Sequence, residues 1–266
     1  MSVNIKRALH LALSAPPFVY FVRAMYESRF RHNAGYFRGV YPDFASATAA
    51  APRNRPLGYD HVDGGKMYWD RPIFPEDYAL MYWIKSTLRE RFNVLDYGGH
   101  AGWMFDAFNN IIGFQHDITW TIFDVPAVAA YGEQQNSRRK PPIPVFISDL
   151  SAAPPKLDIL IASGSLQYVD TDFTETLRAL HLPQHLILNQ LPLHESKEFV
   201  TLQNISTAFC PYWIRNRTQF FASLEGTGYE PVNLWTNPGK DCRIPTYPEH
   251  TRPAYYGAYL RRRRTC

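Results

Sequence analysis

Apolar residues recur along the chain with two different periods, and the changes between them predict the order of helices and strands. After Pro75, apolar residues return every three or four positions up to residue 91, which predicts a helix. Short runs of β-branched and aromatic residues predict strands instead. Seven such runs follow, at 92–97, 118–125, 143–148, 157–163, 185–191, 229–235 and 254–262. Helical patterns lie among them, at 103–112, 127–139, 172–181 and 217–228.

This alternation predicts an α/β fold. Strands connected through helices form a parallel sheet that is covered on both faces. The last two strands are joined by a loop, so we expect them to pair antiparallel at one edge of the sheet. The predicted architecture is a Rossmann-like, seven-stranded, mostly parallel sheet with helices on both faces and an N-terminal helical extension. We expect an extension and irregular cap over residues 1–74, including a loop at 42–56, and the α/β domain over residues 75–266.

The composition fits one large domain with a sizeable core. The chain has 266 residues, of which 45% are hydrophobic and 15% are aromatic. Its net charge of +4 is too small to indicate a nucleic-acid partner. The three cysteines form no CxxC pair, which argues against a disulfide framework and against a zinc site. We therefore expect no bound metal and a reducing, cytoplasmic location.

The N-terminal segment combines apolar and basic residues. Residues 1–40 contain six Lys and Arg residues and one acidic residue, Glu27. The apolar run 11–22 has 12 residues, which is too short to span a bilayer. Such a segment fits peripheral contact with an anionic membrane surface. It also fits a helix that packs on the main domain, and we favour this second interpretation.

The strand-to-helix turn at 94–105, VLDYGGHAGWMF, indicates a ligand site. Gly98, Gly99 and Gly102 allow a sharp turn and a close approach of the backbone to a ligand. In open α/β sheets, ligands bind at the carboxyl ends of the strands, which is where this turn is expected. The helix that follows offers unpaired N–H groups to polar ligand atoms.

The spacing of the glycines separates two classes of cofactor. A dinucleotide fingerprint needs glycines at i, i+2 and i+5, and only Gly98 fits. The pattern acid-x-Gly-x-Gly-x-Gly instead matches Asp96, Gly98 and Gly102, with His100 in place of the middle glycine. A carboxylate beside this turn would repel a pyrophosphate but suits an ammonium group. On these residues the chain resembles the class I S-adenosylmethionine-dependent methyltransferases over residues 92–262.

The resemblance implies S-adenosylmethionine as the cofactor and further residues that bind it. Asp124, at the end of the second strand, would bind both ribose hydroxyls. Asp149 would accept a hydrogen bond from the adenine amino group, and Leu150 would pack on the ring. The complete implied cofactor set is Asp96, Gly98, Gly99, His100, Gly102, Asp124, Asp149, Leu150, Ser163, Gly164 and Gln167, the last near the transferred methyl group.

A narrower resemblance lies in the N-terminal part. The segments YFRGVYPDFASA and LGYD, followed by an aromatic helix, are similar to an uncharacterised bacterial methyltransferase family associated with surface-polysaccharide gene clusters. This resemblance implies O-methylation of a glycan or a glycan precursor. Two alternatives stay open. One is a catalytically silent methyltransferase-like scaffold in glycan assembly, because His100 could crowd the cofactor. The other is an NAD-dependent oxidoreductase, which the incomplete dinucleotide fingerprint disfavours.

Methyl transfer to a hydroxyl calls for a proton acceptor. Histidine is suited to this task because its pKa lies near neutral pH. We predict His194 as the catalytic base, since it lies three residues beyond the fifth predicted strand, at the carboxyl edge of the sheet. An ordinary loop residue is the alternative, and Glu195 and Asp60 are the next candidates. The aromatic segment 191–216 is predicted to be a loop at the same edge.

Overall fold

The computed structural model describes residues 16–67, 71–88, 92–114, 118–140, 143–244, 247–251 and 254–263. The predictions made for residues 1–15 and for residues 89–91 lie outside the described residues. The helices are α1 (Pro16–His32), α2 (Phe44–Ala49), α3 (Val62–Lys66), α4 (Pro75–Thr87), α5 (Trp103–Ile112), α6 (Pro126–Gln135), α7 (Phe173–Ala179) and α8 (Arg217–Gly226). The strands are β1 (Phe37–Tyr41), β2 (Asn93–Tyr97), β3 (Thr119–Phe123), β4 (Val145–Ile147), β5 (Ile159–Ser163), β6 (His185–His194), β7 (Phe199–Asn204), β8 (Phe209–Asn216), β9 (Tyr229–Asn237) and β10 (Ala254–Arg262).

All these strands belong to one branched sheet of ten, which corrects the predicted number of seven. The seven predicted strands are present, in the spatial order β4-β3-β2-β5-β6-β10-β9. The first five are parallel, and β10 is antiparallel to both β6 and β9, as the loop between the last two strands predicted. The other three strands, β1, β7 and β8, form an antiparallel extension that meets β6 through two residue pairs of β8.

Helices cover both faces of the parallel region, as predicted. Successive side chains of a strand point to opposite faces. Val94 packs with Ile84 of α4 and Phe105 of α5 in one core cluster. Its neighbour Leu95 belongs to a second cluster, which contains Leu177 of α7. The strands are therefore buried on both faces, and their carboxyl ends are the edge that remains open to a ligand.

Two segments that were predicted as loops contain regular structure. Within 42–56, Asp43 accepts a hydrogen bond from the backbone N–H of Ser46 at 2.7 Å and caps α2, whose alanines favour a helix. Within 191–216, the end of β6 is followed by β7 and β8. The aromatic residues of this segment mostly form core, since Phe199 and Phe209 are buried.

The N-terminal extension contacts the sheet. Phe30 of α1 is completely buried and stacks on Phe209 at a centroid distance of 5.3 Å. Strand β1 pairs with β7 and so becomes part of the sheet. Phe21 and Met25 of α1 are exposed. No helix within the described residues is both long and apolar enough to cross a bilayer. The division of the chain after residue 74 stays a prediction.

Candidate cofactor and acceptor site

A cavity of about 830 Å³ opens at the carboxyl ends of β2, β3 and β5. The glycine turn and the residues that follow β3 and β5 form one part of its wall, which we call the cofactor half. The β7–β8 strands, the loop between β9 and β10 and the first part of the chain form the rest, the acceptor half. Eight of the predicted site residues line the cavity: Asp96, Gly98, Gly99, His100, Asp124, Ser163, Gly164 and Gln167.

Asp96 places an acidic group at the base of the cofactor half. The residue is only 1% exposed, and its Oδ2 atom has no hydrogen-bond partner among the described residues. Burial raises the pKa of Asp96 to about 8, the neighbouring Trp120 opposes this rise, and Asp124 adds to it. A Cβ atom on Gly99 would lie 2.4 Å from the Asp96 carboxyl carbon. Gly99 therefore allows the turn to pass directly over a buried carboxyl group whose Oδ2 atom has no hydrogen-bond partner among the described residues.

Asp124 is held by the backbone around it. Its Oδ2 atom accepts from the N–H of His100 and its Oδ1 atom from the N–H of Val125, both at 2.8 Å. Burial raises the pKa of Asp124 to about 6, while these two hydrogen bonds lower it. Each carboxylate oxygen can accept a further hydrogen bond. The group is thus oriented and still able to accept from two hydroxyls.

The structure shows how a histidine is accommodated in the glycine turn. His100 adopts a left-handed backbone conformation with φ of 54°. Burial lowers its pKa to about 4, so the ring is neutral near pH 7 and Nε2 donates to the carbonyl of Gly64 at 2.9 Å. Asp60, four residues before Gly64, accepts a hydrogen bond from the N–H of Ala127 at 2.9 Å. Residues 57–66 are therefore attached to the cofactor half at two points, and we call them the cap segment.

The segment after β5 approaches the glycine turn closely. Gly98 has φ of 71°, and a Cβ atom there would lie 2.3 Å from Cβ of Ser165. The Ser165 hydroxyl donates to the carbonyl of Tyr97 at 2.6 Å. The Gln167 amide nitrogen donates to the carbonyl of Gly164 at 2.7 Å, and its buried Oε1 has no partner among the described residues. This oxygen and Asp96 Oδ2 are therefore two buried acceptors that a ligand with hydrogen-bond donors could satisfy.

Three predicted cofactor residues do not line the cavity. Gly102 has a packing role, because a Cβ atom there would lie 2.8 Å from an Arg139 side-chain nitrogen. Asp149 is exposed and accepts from the N–H of Ser151 at 2.9 Å, as in a local turn. Leu150 packs against the core. Their predicted contacts with the cofactor have no support in this arrangement.

His194 also lies outside the cavity, which corrects its predicted position at the site. Strand β6 does not end at residue 191. Asn189 is the register partner of Ser163, the last residue of β5, so His194 lies five residues farther along β6. At a strand rise of about 3.3 Å per residue, this is roughly 16 Å beyond the carboxyl end of β5. Its Nδ1 accepts from the N–H groups of Ser196 and Lys197, and its Nε2 donates to the carbonyl of Glu249.

The acceptor half contains residues that sequence reasoning did not find. Gln190, with φ of 54°, lies next to an irregularity in the pairing of β6 with β10 and lines the cavity. Two hydrogen-bonded pairs form part of the wall: Tyr168 with Gln203 at 2.7 Å, and Tyr212 with Tyr255 at 2.6 Å. No sequence signal marks a β-bulge in advance. Within the described part of the chain, no group of three or more His, Cys, Asp or Glu side chains could hold a metal ion.

Comparison with known proteins gives the fold class of this arrangement. No protein-family profile matches the chain, and no curated protein matches its sequence. Among solved structures, the glycopeptide N-methyltransferase MtfA in complex with S-adenosyl-L-homocysteine shares 12% identity with the chain. The match covers 73% of this chain and 92% of MtfA, with a TM-score of 0.50. The magnesium protoporphyrin IX methyltransferase ChlM from Synechocystis PCC 6803 shares 14% identity over 74% of this chain and 91% of its own, with a TM-score of 0.47. The match to MtfA and the strand order of the parallel region show that the chain has the Rossmann-like fold of the S-adenosylmethionine-dependent methyltransferases.

Proposed function

We propose that the protein is a methyltransferase that uses S-adenosylmethionine. The buried Asp96 carboxyl group beneath the glycine turn carries this proposal, because its Oδ2 atom has no partner in the described residues. A buried carboxyl oxygen without a partner is costly, and a cationic ligand that donates to it removes that cost. The ammonium group of the methionine moiety fits this requirement, whereas the phosphates of a dinucleotide would add negative charge beside it.

The other cavity residues fit the remaining parts of the cofactor. Asp124 would accept hydrogen bonds from the ribose hydroxyls with the oxygens that the backbone already orients. Gly98, Gly99, Ser163 and Gly164 would let backbone approach the ligand, and the free Gln167 oxygen would accept from it. His100 would act mainly by orienting Asp124 through its N–H and by holding the cap segment through its ring.

The acceptor is proposed to be a hydroxyl of a glycan or a glycan precursor. This part rests on the resemblance of YFRGVYPDFASA and LGYD to a family linked to surface-polysaccharide gene clusters. The ring of Tyr168, which is partly exposed in the cavity wall, supports it, since an aromatic ring offers an apolar face to a sugar ring. A cytoplasmic location and a peripheral membrane contact of the basic N-terminus are also proposals.

The bound cofactor would supply an electrophilic methyl group. The chain would then hold the acceptor oxygen in line with that group and exclude water from the cavity. The acceptor proton must leave, but the described arrangement does not bring His194 to the cavity for this task. His194 does not line the cavity, and both its ring nitrogens are hydrogen-bonded to backbone groups, so its role as the base stays a prediction without support from the cavity.

Isothermal titration calorimetry with S-adenosylmethionine and with NAD tests the proposal. We expect the wild-type protein to bind S-adenosylmethionine and not NAD. Asp124→Ala should weaken this binding by about 2–4 kcal/mol, because two hydrogen bonds to a charged group are lost. Asp149→Ala is the matched control and should bind normally. Binding of NAD alone would favour the oxidoreductase, and binding of neither ligand would favour the silent scaffold.

A further inference from the structure

Lys240 is a cation in the cavity wall that no carboxylate neutralises at close range. It follows the turn after β9 and lines the acceptor half. Its ammonium group donates to Oε1 of Gln190. Among the described residues, no Asp or Glu oxygen lies within 4 Å of its Nζ atom. The residue as a whole is exposed, and its ammonium group reaches Gln190 in the cavity wall.

The lysine lies next to the place where the two halves of the cavity meet. A Cβ atom on Gly164 would lie 3.1 Å from the same Gln190 oxygen that accepts from Lys240. The Gln190 side chain thus lies close to Gly164, just after β5, and is hydrogen-bonded to Lys240. A group bound to Lys240 would therefore be close to the cofactor half.

The other charges around Lys240 are already paired or are more distant. Arg71 also lines the cavity, but it forms an ion pair with Asp77 at 2.9 Å. Asp241 pairs with Arg243 at 2.6 Å. Burial and the nearby Arg71 lower the pKa of Lys240, whereas Glu76 and Asp77 raise it. An anion at Lys240 would stabilise its charged form in these surroundings.

We infer that the acceptor substrate carries a negatively charged group, a phosphate or a carboxylate, and that Lys240 binds it beside the methylated atom. Lys240 is then a specificity-determining residue, and neutral sugars are poor ligands. That the bound anion belongs to a methyl acceptor rests on the proposed function, whereas the anion site itself does not. The site consists of Lys240 with Gln190.

Calorimetric titration of the full chain with three sugars tests the inference: glucose 1-phosphate, glucuronate and neutral glucose. We expect at least one charged sugar to bind about tenfold or more tightly than glucose, which corresponds to one charge-assisted hydrogen bond. Lys240→Met should remove this preference, and Lys240→Arg should keep most of it. Lys85→Met, on the exposed side of α4, is the matched control and should behave like the wild type. Preference for one charged sugar over the other identifies the anion.

The inference is overturned if glucose binds as well as both charged sugars, if no charged sugar binds at millimolar concentration, or if Lys240→Met keeps the preference. If Lys240→Met keeps the preference for charged sugars but loses methyl transfer, Lys240 acts as a base and the inference is also overturned. Thermal unfolding and affinity for S-adenosylhomocysteine show whether each variant is folded. The sugar titrations are made without cofactor, so the two proposals are tested separately. If the protein does not bind S-adenosylhomocysteine, the proposed function is contradicted, and the sugar titrations still test the anion site.

Discussion

Gly98 and Gly113 have nearly the same backbone conformation in different surroundings, with φ of 71° and 68°. A Cβ atom on Gly98 would lie 2.3 Å from Cβ of Ser165, whereas one on Gly113 meets nothing within 4 Å. Both Gly→Ala substitutions should cost about 1 kcal/mol for the left-handed backbone. Only Gly98→Ala should add a steric clash in the cofactor half.

We therefore expect Gly98→Ala to destabilise the protein by about 1–3 kcal/mol more than Gly113→Ala does. It should also lose most of its affinity for S-adenosylmethionine, while Gly113→Ala keeps it. Urea unfolding and calorimetry on the two variants measure both effects. Equal losses in the two variants would mean that the contact between Gly98 and Ser165 relaxes at no cost.

At the scale of elements, the cap segment is attached to the glycine turn through the ring of His100. His100→Ala removes the donor to the Gly64 carbonyl. The cap segment should then exchange its amide hydrogens faster and cofactor affinity should fall by several-fold, because one hydrogen bond contributes about 1 kcal/mol. Hydrogen-exchange mass spectrometry over residues 57–66 measures this effect.

His181→Ala is the control for this substitution. His181 also has a positive φ, 59°, but its side chain is exposed and it does not line the cavity. Unchanged exchange in His100→Ala would show that other contacts hold the cap. Cofactor binding that becomes tighter in the variant would instead support crowding by the ring, which was the concern raised by the sequence.

The length of β6 leads to a second prediction at the element scale. Because His194 caps a loop far along this strand, His194→Ala should change methyl transfer by less than a few-fold. The expected loss is about 1 kcal/mol of stability from the loop hydrogen bonds. Steady-state kinetics with any accepted substrate decides, since removal of a true general base lowers turnover by about 100-fold or more.

Most differences between the predicted and the observed structure concern whole strands. The five parallel strands were predictable because they are short apolar runs that mostly alternate with helical patterns. The positions of Asp96 and Asp124 in the cavity were predictable for the same reason, because the carboxyl ends of parallel strands lie at one edge of the sheet. Strands β7 and β8 form a local hairpin, but they were missed because its connection, 205–208, contains no Gly or Pro to mark a turn. The pairing of β7 with β1 is non-local, and no local pattern encodes it. The positive φ of Gln190 and the continuation of β6 depend on tertiary pairing with β10 and β8, which no local pattern encodes.

For the whole molecule, the buried carboxyl groups predict how stability depends on pH. The pKa of Asp96 is about 8 in the folded chain and about 3.9 in an unfolded chain. Below about pH 4 the group is protonated in both states and contributes no difference. Between about pH 4 and 8 only the unfolded chain ionises, so the ligand-free protein should lose stability as pH rises and level off above pH 8. Asp124, with a pKa of about 6, acts in the same direction over the lower part of this range.

Asp96→Asn should remove most of this dependence. The variant should be more stable than the wild type at pH 8.5, by a few kcal/mol at most, and nearly equal to it at pH 4. S-adenosylmethionine should reverse the order, because its ammonium group stabilises the ionised form of Asp96 that high pH favours. The cofactor should therefore stabilise the wild type more at pH 8 than at pH 6 and should stabilise the variant less at both values. Urea unfolding of both proteins at these pH values, with and without the cofactor, gives the comparison. Parallel pH profiles for the two proteins would mean that the pKa of Asp96 is not raised in the ligand-free fold. The unpartnered, buried carboxyl group would then no longer support the proposed function.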